Sequence, residues 1–210
     1  MDIQFYGANC LSIGNKSTRI VVDDNLAQLG KKAIQKPDDV ALYTIAQAEK
    51  IAAKAARLTF DCPGEYEVAD ISIIGIAARA HTDEPEQHTA TMYKISTNDI
   101  NLLITGHIYP KFSEDQLEII GLVDVVVIPV GGHGYTLDPQ GALTIIKEIE
   151  PKLVIPTHYE DKTLKYPMPQ LSLAEALKEL GMEPKETVAK LKLKPTDLSD
   201  VTQLVVLEAV

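Results

Sequence analysis

The chain alternates short apolar runs with polar turns, and this pattern predicts strands through its first half. Glycine, asparagine or proline separates most of the runs, as is typical of strands joined by tight turns. An alanine-rich segment, Gln47–Arg57, interrupts them and is predicted to be helical from its propensity. The predicted strands are Ile3–Tyr6, Leu11–Ile13, Arg19–Val22, Asp38–Tyr43, Leu58–Phe60, Tyr66–Val68, Ile71–Ile76, Thr91–Ile95 and Ile100–Thr105.

The second half changes to strands that alternate with helices. Leu122–Val130 is a nearly continuous apolar run, as expected for a strand buried on both faces. Asp138–Pro139 supplies an N-cap and a first-turn proline, while Ser172 with Glu175 forms a capping box and Gly181 stops that helix. The predicted helices are 113–120, Gln140–Ile149 and Leu173–Leu180, and the other strands are Leu153–Ile155 and Val201–Leu207.

The composition fits one α/β domain over residues 1–210. No linker or low-complexity stretch divides the 210 residues, and 45% of them are hydrophobic, which is enough for a sizeable core. Strand-rich halves finished by helices are compatible with two packed sheets covered by helices.

Charge and hydropathy narrow the choice of partners. The net charge of −10 repels a phosphate backbone, so nucleic acid is not an expected partner. The lysine-rich stretch Lys185–Lys194 has strand-like spacing and acidic neighbours, which indicates a solvated face.

No apolar run reaches the roughly 18 residues of a membrane span, and Met1–Tyr6 carries no leader features. We therefore expect a soluble cytoplasmic protein with no membrane partner.

The two cysteines, Cys10 and Cys62, have no CxxC spacing. Both are predicted to be reduced, buried small hydrophobes, with a disulfide or a metal thiolate as the alternatives.

Four histidines follow the ends of apolar strand-like runs. Loops at the carboxyl ends of strands are where open α/β sheets gather ligands, so the pattern indicates a shared site. The four are His81, His107, His133 and His158. His133 lies in the glycine-rich run Gly131–Gly134, so it either lines the same pocket or is an exposed turn residue.

Several stretches together resemble the metallo-β-lactamase superfamily, and more narrowly the small bacterial metal-dependent hydrolases related to the ascorbate-phosphate lactonase branch. The resemblance implies a four-layer αββα sandwich with the active site along one edge of the two sheets. The stretches that carry it are Tyr6–Cys10, Cys62–Val68, Val123–Gly132, Gly131–Asp138, Pro156–Tyr159 and Thr202–Glu208.

Members of that superfamily hold two metal ions with an HxHxDH motif, and this chain departs from the motif. The resemblance aligns the motif with residues 45–50. There the histidines become Ile45, Gln47 and Lys50, and Glu49 replaces the aspartate. Isoleucine offers no lone pair, an amide is a weak ligand, and lysine brings a positive charge to a cation site.

The remaining ligand positions are only partly preserved. The resemblance matches His81 and His158 to ligands, places His107 where a bridging aspartate is usual, and places Asn9 where an early histidine is usual. Asp23 matches an aspartate that supports the metal ligands without itself binding the metal. Because those ligands are missing here, Asp23 is expected to be a buried hydrogen-bond acceptor at a strand end.

Two hypotheses follow. The leading one is a non-catalytic pseudoenzyme that lacks the dinuclear centre and has a binding or regulatory role. It binds an unknown small molecule or protein partner, as a monomer or as a homo-oligomer, with no cofactor expected and with Asn9, Asp23 and His133 in its pocket. The alternative is a hydrolase in which His81, His107 and His158 hold one zinc or manganese ion, with Glu49 or Asp23 as a base.

Overall fold

The chain folds into two β-sheets that pack against each other, as seen in a computed structural model that describes residues 1–15, 17–46 and 56–210. The six-stranded sheet has the order β13-β1-β2-β3-β4-β5, and β3, β4 and β5 run parallel. Its strands are β1 (Asp2–Gly7), β2 (Cys10–Gly14), β3 (Arg19–Val22), β4 (Val40–Leu42), β5 (Leu58–Phe60) and β13 (Leu191–Lys192).

The eight-stranded sheet has the order β12-β14-β11-β10-β9-β8-β7-β6. From β9 to β12 every neighbouring pair is parallel, whereas β6 to β9 form antiparallel hairpins. Its strands are β6 (Gly64–Val68), β7 (Ile71–Ala78), β8 (Ala90–Thr97), β9 (Ile100–Ile104), β10 (Val125–Pro129), β11 (Leu153–Thr157), β12 (Pro184–Val188) and β14 (Gln203–Leu207).

The described helices begin and end where the capping signals predict. Ser172 Oγ accepts from the backbone N of Glu175, whose carboxylate accepts from the backbone N of Ser172. Gly181 ends the same helix in the left-handed region. The α-helices are α1 (Glu114–Ile120), α2 (Pro139–Ile149) and α3 (Leu173–Leu180), and Pro195–Asp197 forms a short 3-10 helix.

Apolar side chains fill the space between the sheets and beneath the helices. Ile13 and Ile20 of one sheet and Ile73 and Ile95 of the other belong to the central cluster. A second cluster packs the three helices against the outer face of the eight-stranded sheet. This layering confirms the predicted α/β sandwich, because each sheet buries one face against the other.

Three predictions need correction or qualification. The strand predicted from Leu122 begins at Val125, and Leu122 is 85% exposed. Cys62 is exposed rather than buried, because it lies in the turn before edge strand β6; both cysteines are free. The predicted helix Gln47–Arg57 lies outside the described residues apart from its last two positions. Within the described ranges, no helix is long and apolar enough to cross a membrane.

Candidate functional site

The carboxyl ends of the parallel strands place several chemically active residues at one edge of the sandwich. Asp23 follows β3, Thr44 lies two residues after β4, His107 lies three residues after β9, and His158 follows β11. The sequence brings them there because each apolar strand is followed by a short polar turn.

His107 and His158 form the centre of a ring cluster. Their ring centroids lie 4.7 Å apart with an interplanar angle of 82°. The Tyr135 ring lies 5.0 Å from His107 and 5.8 Å from His158, and the Tyr166 ring lies 5.2 Å from His158. The contacts of His107 with His158 and with Tyr135 are edge-to-face, an arrangement that is favourable for aromatic rings, and the other two are tilted.

Both histidines are held neutral. Burial lowers the pKa of His107 to about 3, with a further lowering from nearby His158 and an opposing backbone hydrogen bond at Tyr135. Burial likewise lowers the pKa of His158 to about 4, against the raising effect of its hydrogen bond to Gln170. At neutral pH the cluster therefore offers uncharged imidazoles, each with one donor and one acceptor nitrogen.

A backbone hydrogen bond to the turn between β1 and β2 fixes the position of His158. Its N–H donates to the carbonyl of Ala8 at 2.8 Å, and both residues adopt positive φ values, 54° and 50°. Left-handed backbone outside glycine is uncommon and often accompanies functional sites. Nδ1 of His158 lies 3.0 Å from Oε1 of Gln170, a buried side chain that sequence reasoning missed.

A backbone hydrogen bond joins His81 to His107. The N–H of His81 donates to the carbonyl of His107 at 2.7 Å, and Ala80 pairs with Ile108 in an isolated β-bridge. Nδ1 of His81 and Nδ1 of His107 are buried, and neither has a hydrogen-bond partner among the described residues. Two buried imidazole nitrogens without partners among the described residues are unusual in a folded interior.

Asp83 holds the loop that carries His81, and sequence reasoning missed it too. Its carboxylate accepts from the backbone N of Ala80 and of Thr89, each at 2.8 Å, and from Thr89 Oγ1 at 2.7 Å. Its carbonyl accepts from the Arg79 guanidinium, which stacks on the Tyr109 ring at 4.0 Å. An aspartate two residues after the histidine was the available signal.

Asp23 lies on the six-stranded side of the same edge. Both of its carboxylate oxygens accept from Thr44, one from the backbone N and one from Oγ1. Burial raises the pKa of Asp23 to about 6, although the Thr44 hydrogen bonds lower it. Gly106 packs directly against the Thr44 side chain, where a Cβ would overlap it, so the turn before His107 requires glycine.

Asn9 is buried, whereas His133 is exposed to solvent. Asn9 is 3% exposed; its Oδ1 accepts from Thr157 Oγ1 at 2.9 Å, and its Nδ2 has no partner among the described residues. His133 is exposed and has a φ of 57°. The described ring contacts join His107 and His158 but do not include His133.

The donors found among the described residues do not fit the metal centre that the resemblance implies. In residues 1–15, 17–46 and 56–210, no group of three or more His, Cys, Asp or Glu side chains could hold a metal ion. Ile45 forms a β-bridge with Ala90 and packs against the helix-side apolar cluster. The other motif positions, Gln47, Glu49 and Lys50, lie outside the described residues.

Comparison with known proteins decides the family. A sequence model of the beta-lactamase superfamily domain matches residues 2–158, well over half of the chain. The chain belongs to the beta-lactamase superfamily. This membership accounts for the two packed sheets and for the gathering of the site residues at one sheet edge.

Relatives of this superfamily member include archaeal proteins named metal-dependent hydrolases. The one from Thermococcus onnurineus is 27% identical over 101 residues, which cover 46% of this chain and 44% of the relative. The one from Thermoplasma acidophilum is 44% identical over 47 residues, or 21% of this chain and 20% of the relative. The matches therefore span less than half the length of these relatives.

Solved structures show the same fold. A metallo-beta-lactamase superfamily protein from Thermotoga maritima superposes with a TM-score of 0.75 at 24% identity, over 99% of both chains. The metallo-beta-lactamase fold protein YhfI from Bacillus subtilis gives a TM-score of 0.59 at 10% identity, over 99% of this chain and 96% of that one. At these identities the likeness supports the fold alone.

Proposed function

We propose that this superfamily member does not carry out dinuclear hydrolysis and instead binds a ligand at the histidine-lined edge of its sheets. The proposal rests on the donor set of the described residues, in which no group of three or more His, Cys, Asp or Glu side chains could hold a metal ion. Ile45, at the first position of the aligned motif, offers no lone pair and packs against the helix-side apolar cluster. His107 and His158 lie in edge contact with each other at 4.7 Å, and His107 with Tyr135 at 5.0 Å, which stabilises their positions.

The chemistry of the described side chains suits a small polar molecule or a polar group of a protein partner. The two neutral imidazoles offer hydrogen-bonding nitrogens without charge, although Nδ1 of His158 is already bonded to Gln170. Asn9 Nδ2 is a buried donor that has no partner in residues 1–15, 17–46 and 56–210, and leaving such a group unpaired costs about 1–3 kcal/mol. A ligand oxygen that accepts from it would remove that cost.

A second candidate is a hydrolase with one zinc or manganese ion held by His81, His107 and His158. The observation in its favour is that Nδ1 of His81 and Nδ1 of His107 have no partner in the described part of the chain, and each has a lone pair available in one tautomer. The archaeal relatives named metal-dependent hydrolases add support from the family. This candidate requires each of the three imidazoles to direct one ring nitrogen at a common point.

Metal stoichiometry separates the two candidates. The wild-type protein and the variants His107→Ala and His88→Ala are each purified with added zinc or manganese, dialysed, and analysed for bound metal. His88 is an exposed loop histidine and serves as the matched control. We expect bound metal far below one equivalent in all three proteins, and hydrolysis of phosphodiesters and lactones no faster than in buffer.

Near-stoichiometric metal that is lost in His107→Ala and kept in His88→Ala would overturn the binding proposal. It would establish the second candidate if turnover is lost together with the metal.

A further inference from the structure

The side-chain amide of Gln170 has an orientation that its neighbours determine. Nε2 donates to the carbonyl of Met168 at 3.0 Å and to the carbonyl of Pro169 at 2.9 Å. Carbonyl oxygens only accept, so the opposite orientation would place Oε1 against two acceptors. Gln170 therefore presents Oε1, and not Nε2, toward His158.

An oxygen that can only accept requires a proton on the facing atom. Nδ1 of His158 lies 3.0 Å from that oxygen, and both residues are buried, at 3% exposure for His158 and 9% for Gln170. The hydrogen bond therefore needs Nδ1–H as its donor. A neutral imidazole carries a single ring proton, so Nε2 is left with its lone pair.

The surroundings of Gln170 hold this arrangement in place. The backbone N of Leu171 donates to the carbonyl of Gly131 at 3.0 Å, and the N of Glu160 donates to the carbonyl of Leu171 at 2.8 Å. A Cβ on Gly131 would overlap both the His158 carbonyl oxygen and Gln170 Oε1. The absence of a side chain at Gly131 thus leaves the space in which the histidine and the amide meet.

We propose that Gln170 is a positioning residue that fixes His158 as the Nδ1–H tautomer and leaves Nε2 as the acceptor nitrogen of the site. Partners of this kind commonly set the tautomer and orientation of functional histidines. The tautomer assignment does not depend on the proposed function. The further statement, that Nε2 accepts a hydrogen bond from a ligand N–H or O–H group, rests on the proposed function.

Nuclear magnetic resonance of ¹⁵N-histidine-labelled protein tests the tautomer directly, without ligand or activity. Long-range ¹H–¹⁵N spectra near neutral pH distinguish a protonated ring nitrogen from a bare one. The His158 signals are assigned by their loss in His158→Asn. We expect protonated Nδ1 and bare Nε2 in the wild-type chain.

Two variants test whether Gln170 is responsible. Gln170→Leu should give a mixture of the two His158 tautomers. Gln140→Leu is the matched control: Gln140 is exposed and donates to the carbonyl of Glu179, so its loss should leave the His158 signals unchanged.

Wild-type protein with Nε2–H at His158 would overturn the proposal, and this result does not depend on whether any variant folds. An unchanged, pure Nδ1–H signal in folded Gln170→Leu would show that another group sets the tautomer. Stoichiometric metal in a chain with Nδ1–H His158 would refute the proposed function and leave this inference standing.

Discussion

Asp23 and Thr44 form a two-point hydrogen bond in which the backbone N and Oγ1 of Thr44 each lie 2.7 Å from a different carboxylate oxygen of Asp23. The pair joins the ends of β3 and β4 and lies against Gly106, the residue before His107. Two good hydrogen bonds favour the charged carboxylate, but burial raises the Asp23 pKa to about 6. Desolvation is therefore the larger effect at this residue.

The raised pKa of Asp23 predicts a contribution to stability that increases as the pH falls. Between about pH 6 and its unfolded pKa near 3.9, the folded chain binds a proton that the unfolded chain does not, so acidification favours folding through this group. From pH 7 to pH 5 the gain is about 1 kcal/mol. Urea unfolding of the wild type and of Asp23→Asn at pH 7 and pH 5 should show that the variant lacks this gain in unfolding free energy.

Asp115→Asn, which replaces an exposed carboxylate at the start of α1, is the control for that measurement. Equal pH dependence of the wild type and Asp23→Asn would contradict the predicted protonation of Asp23.

His107 and His158 have the opposite effect on the pH dependence of stability. Their folded pKa values, about 3 and about 4, lie below the unfolded value near 6.5. Their contribution is complete above pH 6.5 and is lost as the pH falls toward 4, because only the unfolded chain takes up the protons. Each should remove about 2 kcal/mol of stability between pH 7 and pH 5.

The variant His107→Phe keeps a flat ring and removes one of the two titrating groups. Its unfolding free energy should fall by about 2 kcal/mol less than that of the wild type between pH 7 and pH 5. His88→Phe in the exposed loop is the control. A His107 ring that titrates near pH 6.5 by nuclear magnetic resonance would refute this prediction.

The strand ends were predictable from the sequence because their signals are local. Apolar runs bounded by turn residues placed His107 and His158 at the same sheet edge, and the family resemblance supplied the sandwich. The partner of His158 was not predictable, because Gln170 lies 12 residues away in a loop and no short motif marks the contact. The exposure of Cys62 depends on which strand lies at the sheet edge, and strand order is a property of the whole fold.

Asp83 should control the order of the loop that carries His81. Asp83→Ala leaves the backbone N–H groups of Ala80 and Thr89 without their acceptor, at a cost of about 1–3 kcal/mol for such a loss. We expect a lower melting temperature and faster amide hydrogen exchange at residues 79–89. Glu86→Ala changes an exposed carboxylate in the same loop and should have neither effect. Unchanged exchange at Ala80 and His81 in Asp83→Ala would contradict the role of the carboxylate.

Gly131 should be among the least replaceable positions at the site. A Cβ at Gly131 would overlap the His158 carbonyl oxygen and Gln170 Oε1, whereas a Cβ at Gly134 would have no atom of a described residue within 4 Å and would meet the strain of a φ of +71°. Gly134→Ala should therefore cost about 1–2 kcal/mol. Gly131→Ala should cost more than that, at least about 3 kcal/mol, because backbone and a buried amide must both move.

Urea unfolding of the two alanine variants measures this difference, and histidine spectra of Gly131→Ala report whether His158 keeps its tautomer. The expected result is a larger loss of stability in Gly131→Ala together with disturbed His158 signals, since the overlap lies at the Gln170 hydrogen bond. Equal stability of Gly131→Ala and Gly134→Ala would mean that the loop at Gln170 relaxes freely, and that it does not constrain His158 as the contacts require.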